Sequence, residues 1–172
     1  YEAVHHVITD MQTAWEVIDR WKRNHCITTI NAFERLKETE QRELLDYLDQ
    51  LPLAVCDLRV KDELFYLAHG SALPQFTQGI VTQQSIRDSD ATIEQFVWDR
   101  MDVHEIPFSD RTVVVGHTPT LFFQDTRPYA VWTDTDDLKT AHIMDIDCGC
   151  AADDMHTRLG VVCLDTRTVQ YF

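Results

Sequence analysis

Along residues 3–22, "AVHHVITDMQTAWEVIDRWK", apolar side chains recur at Val4, Val7, Ile8, Met11, Trp15, Ile18 and Trp21. Steps of three and four put them on one face of an amphipathic helix. A second helix is predicted over 34–50, with Leu36, Leu44, Leu45 and Leu48 as its stripe and Pro52 as its stop. Between the two, "NHCITTINAF" reads as a loop or a short turn of helix.

The period then changes. "LAVCDLRV" and "LFYLAHGS" predict two strands joined at Lys61-Asp62-Glu63 as a hairpin. Residues 73–90 are polar and broken, which predicts loop with at most a turn of helix. "ATIEQFVWDRM" fits helix or extended chain equally. The unbroken valines of "RTVVVGH", followed by Gly116, predict a buried strand. "HIMDIDCGC" and "RLGVVCLDTRTVQYF" predict three more strands, the last two joined through Asp165-Thr166-Arg167-Thr168. Helices first and strands after suggest an α/β domain, a sheet with helices packed on one side. The first half supplies too few strands for a closed α/β fold of its own.

Composition narrows the classes. The 172 residues suit one domain, 44% hydrophobic and 26% charged. No apolar run approaches the ~20 residues of a membrane helix. "YEAVHHVITD" lacks the basic start and apolar stretch of a signal peptide, so a cytoplasmic location without membrane association is expected. A net charge of −14 repels phosphate backbones, so nucleic acid is not expected as a partner. Five scattered cysteines, with only "CGC" at 148–150 closely spaced, suggest buried free thiols rather than a disulfide or zinc site.

Candidate chemistry gathers at two histidines. His69 in "FYLAHGS" and His117 in "VVVGHTPT" each end an apolar strand beside a glycine turn. A strand end gives a metal ligand rigid support with open space ahead of it, and imidazole suits zinc, iron or manganese. Gly116 would let the main chain approach an ion closely, and Pro119 would stiffen the turn. A satisfied, half-buried structural histidine is the plainer alternative for each taken alone. His5, His6, His25, His104, His142 and His156 read as structural or surface residues.

"LFYLAHGSALP" resembles the strand and histidine segment of the calcineurin-like metallophosphoesterases, in the bacterial and phage serine/threonine phosphatase branch. "VVVGHTPT" is similar to that family's GHTP motif through Pro119, and "FVWDRM" to its tryptophan-x-arginine segment. "IMDIDCGC" and "RLGVVCLDT" resemble its closing hairpin, and the order is kept over about 24–170. The resemblance implies an α/β/β/α sandwich, with this chain its C-terminal portion. Residues 1–52 would form a helical cap and 53–172 a mostly antiparallel sheet carrying the ligand loops. His69 and His117 would bind one ion of a dinuclear centre of manganese, iron or zinc, and Arg100 would hold phosphate oxygens. A bridging water would attack a phosphomonoester in line, on a phosphorylated protein or a small phosphoester. A symmetrical dinucleoside polyphosphate hydrolase is the alternative within the branch, and a degenerate interaction scaffold the alternative of another class. The chain carries "HGS" after the strand. The GDxHG, GDxxDRG and GNH[ED] motifs, which would bring the remaining ligands and the catalytic acid, do not occur in it. The chain by itself is therefore expected to be incomplete. Asp99, Asp145, Asp147 and the pair Asp153-Asp154 read as turn or surface residues.

Overall fold

A computed structural model describes residues 18–23, 26–125, 127–152 and 155–172. The helix expected over 3–22 falls mostly outside them; its described end, 18–23, is helical. The chain divides into two compact units, Tyr1–Leu51 and Pro52–Phe172.

In the first unit, α1 spans Ile27–Phe33 and α2 spans Glu38–Asp49. The second helix begins four residues later than its leucine stripe suggested. Lys37 is extended (φ −68°, ψ 156°), and the Glu40 carboxylate reaches back to accept its N–H at 2.8 Å. That capping contact satisfies a donor the first turn would leave unpaired, so the helix starts there. Gln41 Nε2 ties the two helices by donating to Phe33 O at 3.0 Å.

The second unit is built on a six-stranded mixed sheet. Its strands are β1 Ala54–Val60, β2 Glu63–Ala68, β3 Ile80–Val81, β4 Thr112–Val115, β5 Trp132–Thr133 and β6 Ile143–Asp145. The order across the sheet is β3-β1-β2-β4-β6-β5. β1 and β2 form the expected hairpin, closed by Lys61 at φ 54°. β2, β4 and β6 run parallel, β1 and β5 flank them antiparallel, and β3 pairs antiparallel with β1 at the outer edge. The expected mostly antiparallel sheet therefore has a parallel centre. All four residues of β4 and all three of β6 are buried. Strands covered on both faces read as continuous apolar runs, which is why the valines carried no alternation. The two-residue strands β3 and β5 are too short to leave a sequence signal.

The two faces of the sheet bury different residues. Tyr66, Val113 and Val115 face a core closed by Phe96, Phe108 and Ile86. Phe96 belongs to α3, Ile93–Val97, whose start is fixed by Thr92 and Gln95 exchanging hydrogen bonds. Phe65, Val114 and Met144 face the other way, against Val162 and Leu164. Val162 belongs to a separate two-stranded ribbon, β7 Gly160–Cys163 with β8 Thr168–Tyr171, and Leu164 directly follows β7. Its turn is glycine-free, as expected, with Arg167 at φ 53°. The Arg167 guanidinium lies 4.6 Å from the Phe65 ring centroid and bonds Glu63, Thr112 Oγ1 and the Leu138 carbonyl. At the adjacent tip, Lys61 pairs with Asp165. The five cysteines are free thiols, but Cys150 and Cys163 are exposed rather than buried. Among the described residues, no helix is long and apolar enough to cross a membrane.

Candidate functional site

Parallel register brings three strand ends to one edge. Leu67 of β2 stands opposite Val114 of β4, and Val115 of β4 opposite Asp145 of β6. Pairing continues just past the strands, where Gly116 N–H donates to His69 O at 2.9 Å and Ile146 N–H to Val115 O at 2.9 Å. His69, His117 and Asp147 thus leave the carboxyl ends of adjacent strands together, the position where open α/β sheets bind ligands. The two imidazole rings are 5.0 Å apart between centroids, tilted by 57°.

The histidine turn is strained. His117 has φ 66°, and Thr118 N–H donates to Gly116 O at 2.7 Å. A three-residue turn centred on positive φ is the rare form, and such a residue costs roughly 1–3 kcal/mol. Its surroundings hold it there. Thr118 and Thr120 are buried, and Thr120 N–H donates to Asp147 O at 2.8 Å. The Thr120 Oγ1 atom is buried and has no hydrogen-bond partner among the described residues. The expected role of Gly116 is not where the backbone is tightest. A Cβ at Gly116 would meet nothing closer than 3.9 Å, whereas one at Gly70 would stand 2.7 Å from the Asp99 carbonyl oxygen. Gly70 N–H also donates to Phe96 O at 2.7 Å. The glycine after His69 is therefore what lets the α3 segment lie against the end of β2.

Electrostatics favour the neutral form of His69. Partial withdrawal from water lowers the His69 pKa; the neighbouring His117 lowers it further, and Asp147 opposes both. A neutral imidazole offers the nitrogen lone pair a metal needs. Asp147 accepts from Gly149 N–H at 2.9 Å, which fixes the carboxylate in its turn. Asp145 departs most from expectation: it is no turn or surface residue but 1% exposed on a central strand. It accepts from Asp147 N–H at 2.9 Å, and burial, with Asp147 adding, raises its pKa to about 8. Asp99 is exposed, and Asp153-Asp154 lie outside the described residues.

The tryptophan-arginine segment crosses the same turn. Trp98 sits 5.6 Å from the His117 ring, and the Arg100 guanidinium sits 5.4 Å above the Phe122 ring. Phe122 belongs to the short 3₁₀ turn Thr120–Phe122 that follows Pro119. The structure thus gathers His69, His117 and Trp98, and sets Arg100 against the chain just beyond them. Sequence reasoning read Asp145 as a turn or surface residue and gave Gly70 no role beyond its turn. Asp145 had a signal, a lone carboxylate between Met144 and Ile146 in an apolar run. Gly70 had none, because its partner is the carbonyl of a distant segment.

Among the described residues, no group of three or more His, Cys, Asp or Glu side chains is arranged to hold a metal. Comparison with family models, curated proteins and solved structures finds no match for the chain.

Proposed function

We propose that the chain carries part of a metal-dependent phosphoesterase site of the calcineurin-like kind. The supporting observation is the pair of imidazoles of His69 and His117 at the carboxyl ends of parallel strands, with burial lowering the His69 pKa. A sheet with helix α3 on one face and the β7–β8 ribbon on the other is compatible with the implied α/β/β/α sandwich. In this reading His69 and His117 hold a divalent ion. When bound, such an ion polarises the phosphoryl oxygens and lowers the pKa of a coordinated water. Arg100 supplies planar, bidentate donors to phosphate oxygens, a task lysine performs less well. The strained turn holds the His117 ring in place without needing the substrate to do so. The overall change is ROPO₃²⁻ + H₂O → ROH + HPO₄²⁻, with the phosphorus–oxygen ester bond broken and the alcohol taking a proton from water.

Two imidazoles alone do not make a dinuclear centre. The resemblance places the other ligands in motifs that do not occur in this sequence. These residues are accordingly expected to bind one ion weakly and to turn over slowly. The test is hydrolysis of p-nitrophenyl phosphate in manganese, beside cobalt binding followed by absorption, for the chain and for His117→Ala. Cobalt binding lost in the variant, with little turnover in either protein, is the expected result. Rapid turnover abolished by the substitution would show a complete site and overturn the incompleteness. Absence of cobalt binding in the unsubstituted chain would overturn the metal reading and leave the interaction scaffold.

A further inference from the structure

We propose that the open half of the β1 edge pairs with the same stretch of a second copy of the chain, antiparallel and centred on Leu58. β3 covers only the first part of that edge. It pairs with Ala54 and Val55, and the Gly79 carbonyl accepts the Cys56 N–H just beyond. Among the described residues, no strand pairs with Leu58, Arg59 or Val60 on that side. An uncovered row of N–H and C=O groups is a template for another strand. Val60 and Glu63 close the two-residue turn of the hairpin, so their backbone groups face each other. Alternation along the strand then turns those of Arg59 to the open side.

The side chains select the occupant. Asp57 and Arg59 are exposed on one face of β1, while Leu58 and Val60 point to the other and pack on the core around Phe65. In an antiparallel pair centred on Leu58, Asp57 of each copy stands opposite Arg59 of the other. One short motif thereby makes two ion pairs, and the outward backbone groups of Arg59 meet those of Asp57. A shift of one residue sets neither charge opposite its complement. Both side chains have capacity for the contact. Arg59 makes no ion pair among the described residues, and Asp57 uses only Oδ1, which accepts from Gly79 N–H at 2.9 Å. Two chains of charge −14 repel each other in most approaches, which favours the orientation that sets acid against base. The contact is short, so the association it gives is weak.

The test is sedimentation equilibrium of the whole 172-residue chain up to about 1 mM, in about 0.15 M salt to screen long-range repulsion. A concentration-dependent dimer is expected. Arg59→Asp sets acid against acid and Asp57→Arg sets base against base, so each alone should weaken association by about tenfold or more. Mixed in equal amounts, the two variants should associate again, because each then faces its complement. An unsubstituted chain that stays monomeric throughout overturns the proposal. A dimer undiminished by Arg59→Asp, or a mixture that associates no better than its parts, overturns pairing at this edge. If Asp57→Arg does not fold for want of its bond to Gly79, Arg59→Lys takes its place. Association kept in Arg59→Lys and lost in Arg59→Asp supports the pairing, and equal loss in both overturns it.

Discussion

Asp145→Asn offers the sharpest test of the electrostatics beneath the site. The carboxyl is 1% exposed on β6, and burial raises its pKa from an ordinary 3.8 to about 8. In the folded protein it therefore keeps its proton through neutral pH, while in the unfolded chain it ionises above about 4. Between those values the folded state holds one more proton than the unfolded state. Stability then falls with rising pH by about 1.4 kcal/mol per unit. From pH 5 to pH 8 that amounts to about 4 kcal/mol, a large share of a typical domain's 5–15 kcal/mol. Asparagine keeps an oxygen to accept the Asp147 N–H but has nothing to ionise. Its extra amide donors add a penalty of ~1–3 kcal/mol if unpaired, and that offset does not vary with pH. The measurement is urea unfolding at pH 5, 6, 7 and 8, followed by the fluorescence of Trp132, which stands opposite Asp145 in the β5–β6 ladder. The difference between the two proteins should shift by about 4 kcal/mol in favour of the variant across that range. A constant difference at all four pH values would mean that Asp145 is ionised in the folded state, and the reasoning would fail.

At His117, ring chemistry and backbone strain separate by choice of substitution. His117→Asn should melt within about 2 °C of the unsubstituted chain, because asparagine tolerates positive φ, yet lose cobalt binding. His117→Val should cost about 1–2 kcal/mol more in urea unfolding, because a β-branched side chain resists that conformation; equal stability of the two variants would remove the strain argument. Gly70→Ala should push the Asp99 carbonyl away from the end of β2 and carry Trp98 with it. A cost of about 1–3 kcal/mol and a change in Trp98 fluorescence are expected, and an unaltered emission spectrum would show the segment did not move.

The parts of the fold that were legible were those whose period belongs to one element. β1, β2 and β4 announce themselves through β-rich apolar runs and a charged turn, and β7–β8 through alternation about Asp165–Thr168. β3 and β5 did not, since two residues have no period and both are placed by pairing with partners distant in sequence. The parallel arrangement of β2, β4 and β6 was equally hidden, because a run of buried valines fits either direction. At the site, His69 and His117 stood out as polar residues ending apolar strands. The positive φ of His117 left no trace, since histidine does not advertise the conformation as glycine would. Asp145 was visible as a charge in an apolar run but was read as a turn or surface residue.

The Arg167 clasp bears on the order in which the molecule assembles. The hydrogen bonds it makes to Glu63 join residues 104 apart in the chain. The β1–β2 and β7–β8 hairpins, by contrast, close over a few residues each. Local closures are fast, whereas a contact between distant residues must await the loop it spans. A chain emerging from its N-terminus thus has Phe65, Val114 and Met144 in place before the residues that cover them arrive. Until Arg167 reaches Phe65, the larger sheet is one-sided and sticky, and docking of the final ribbon ends that interval.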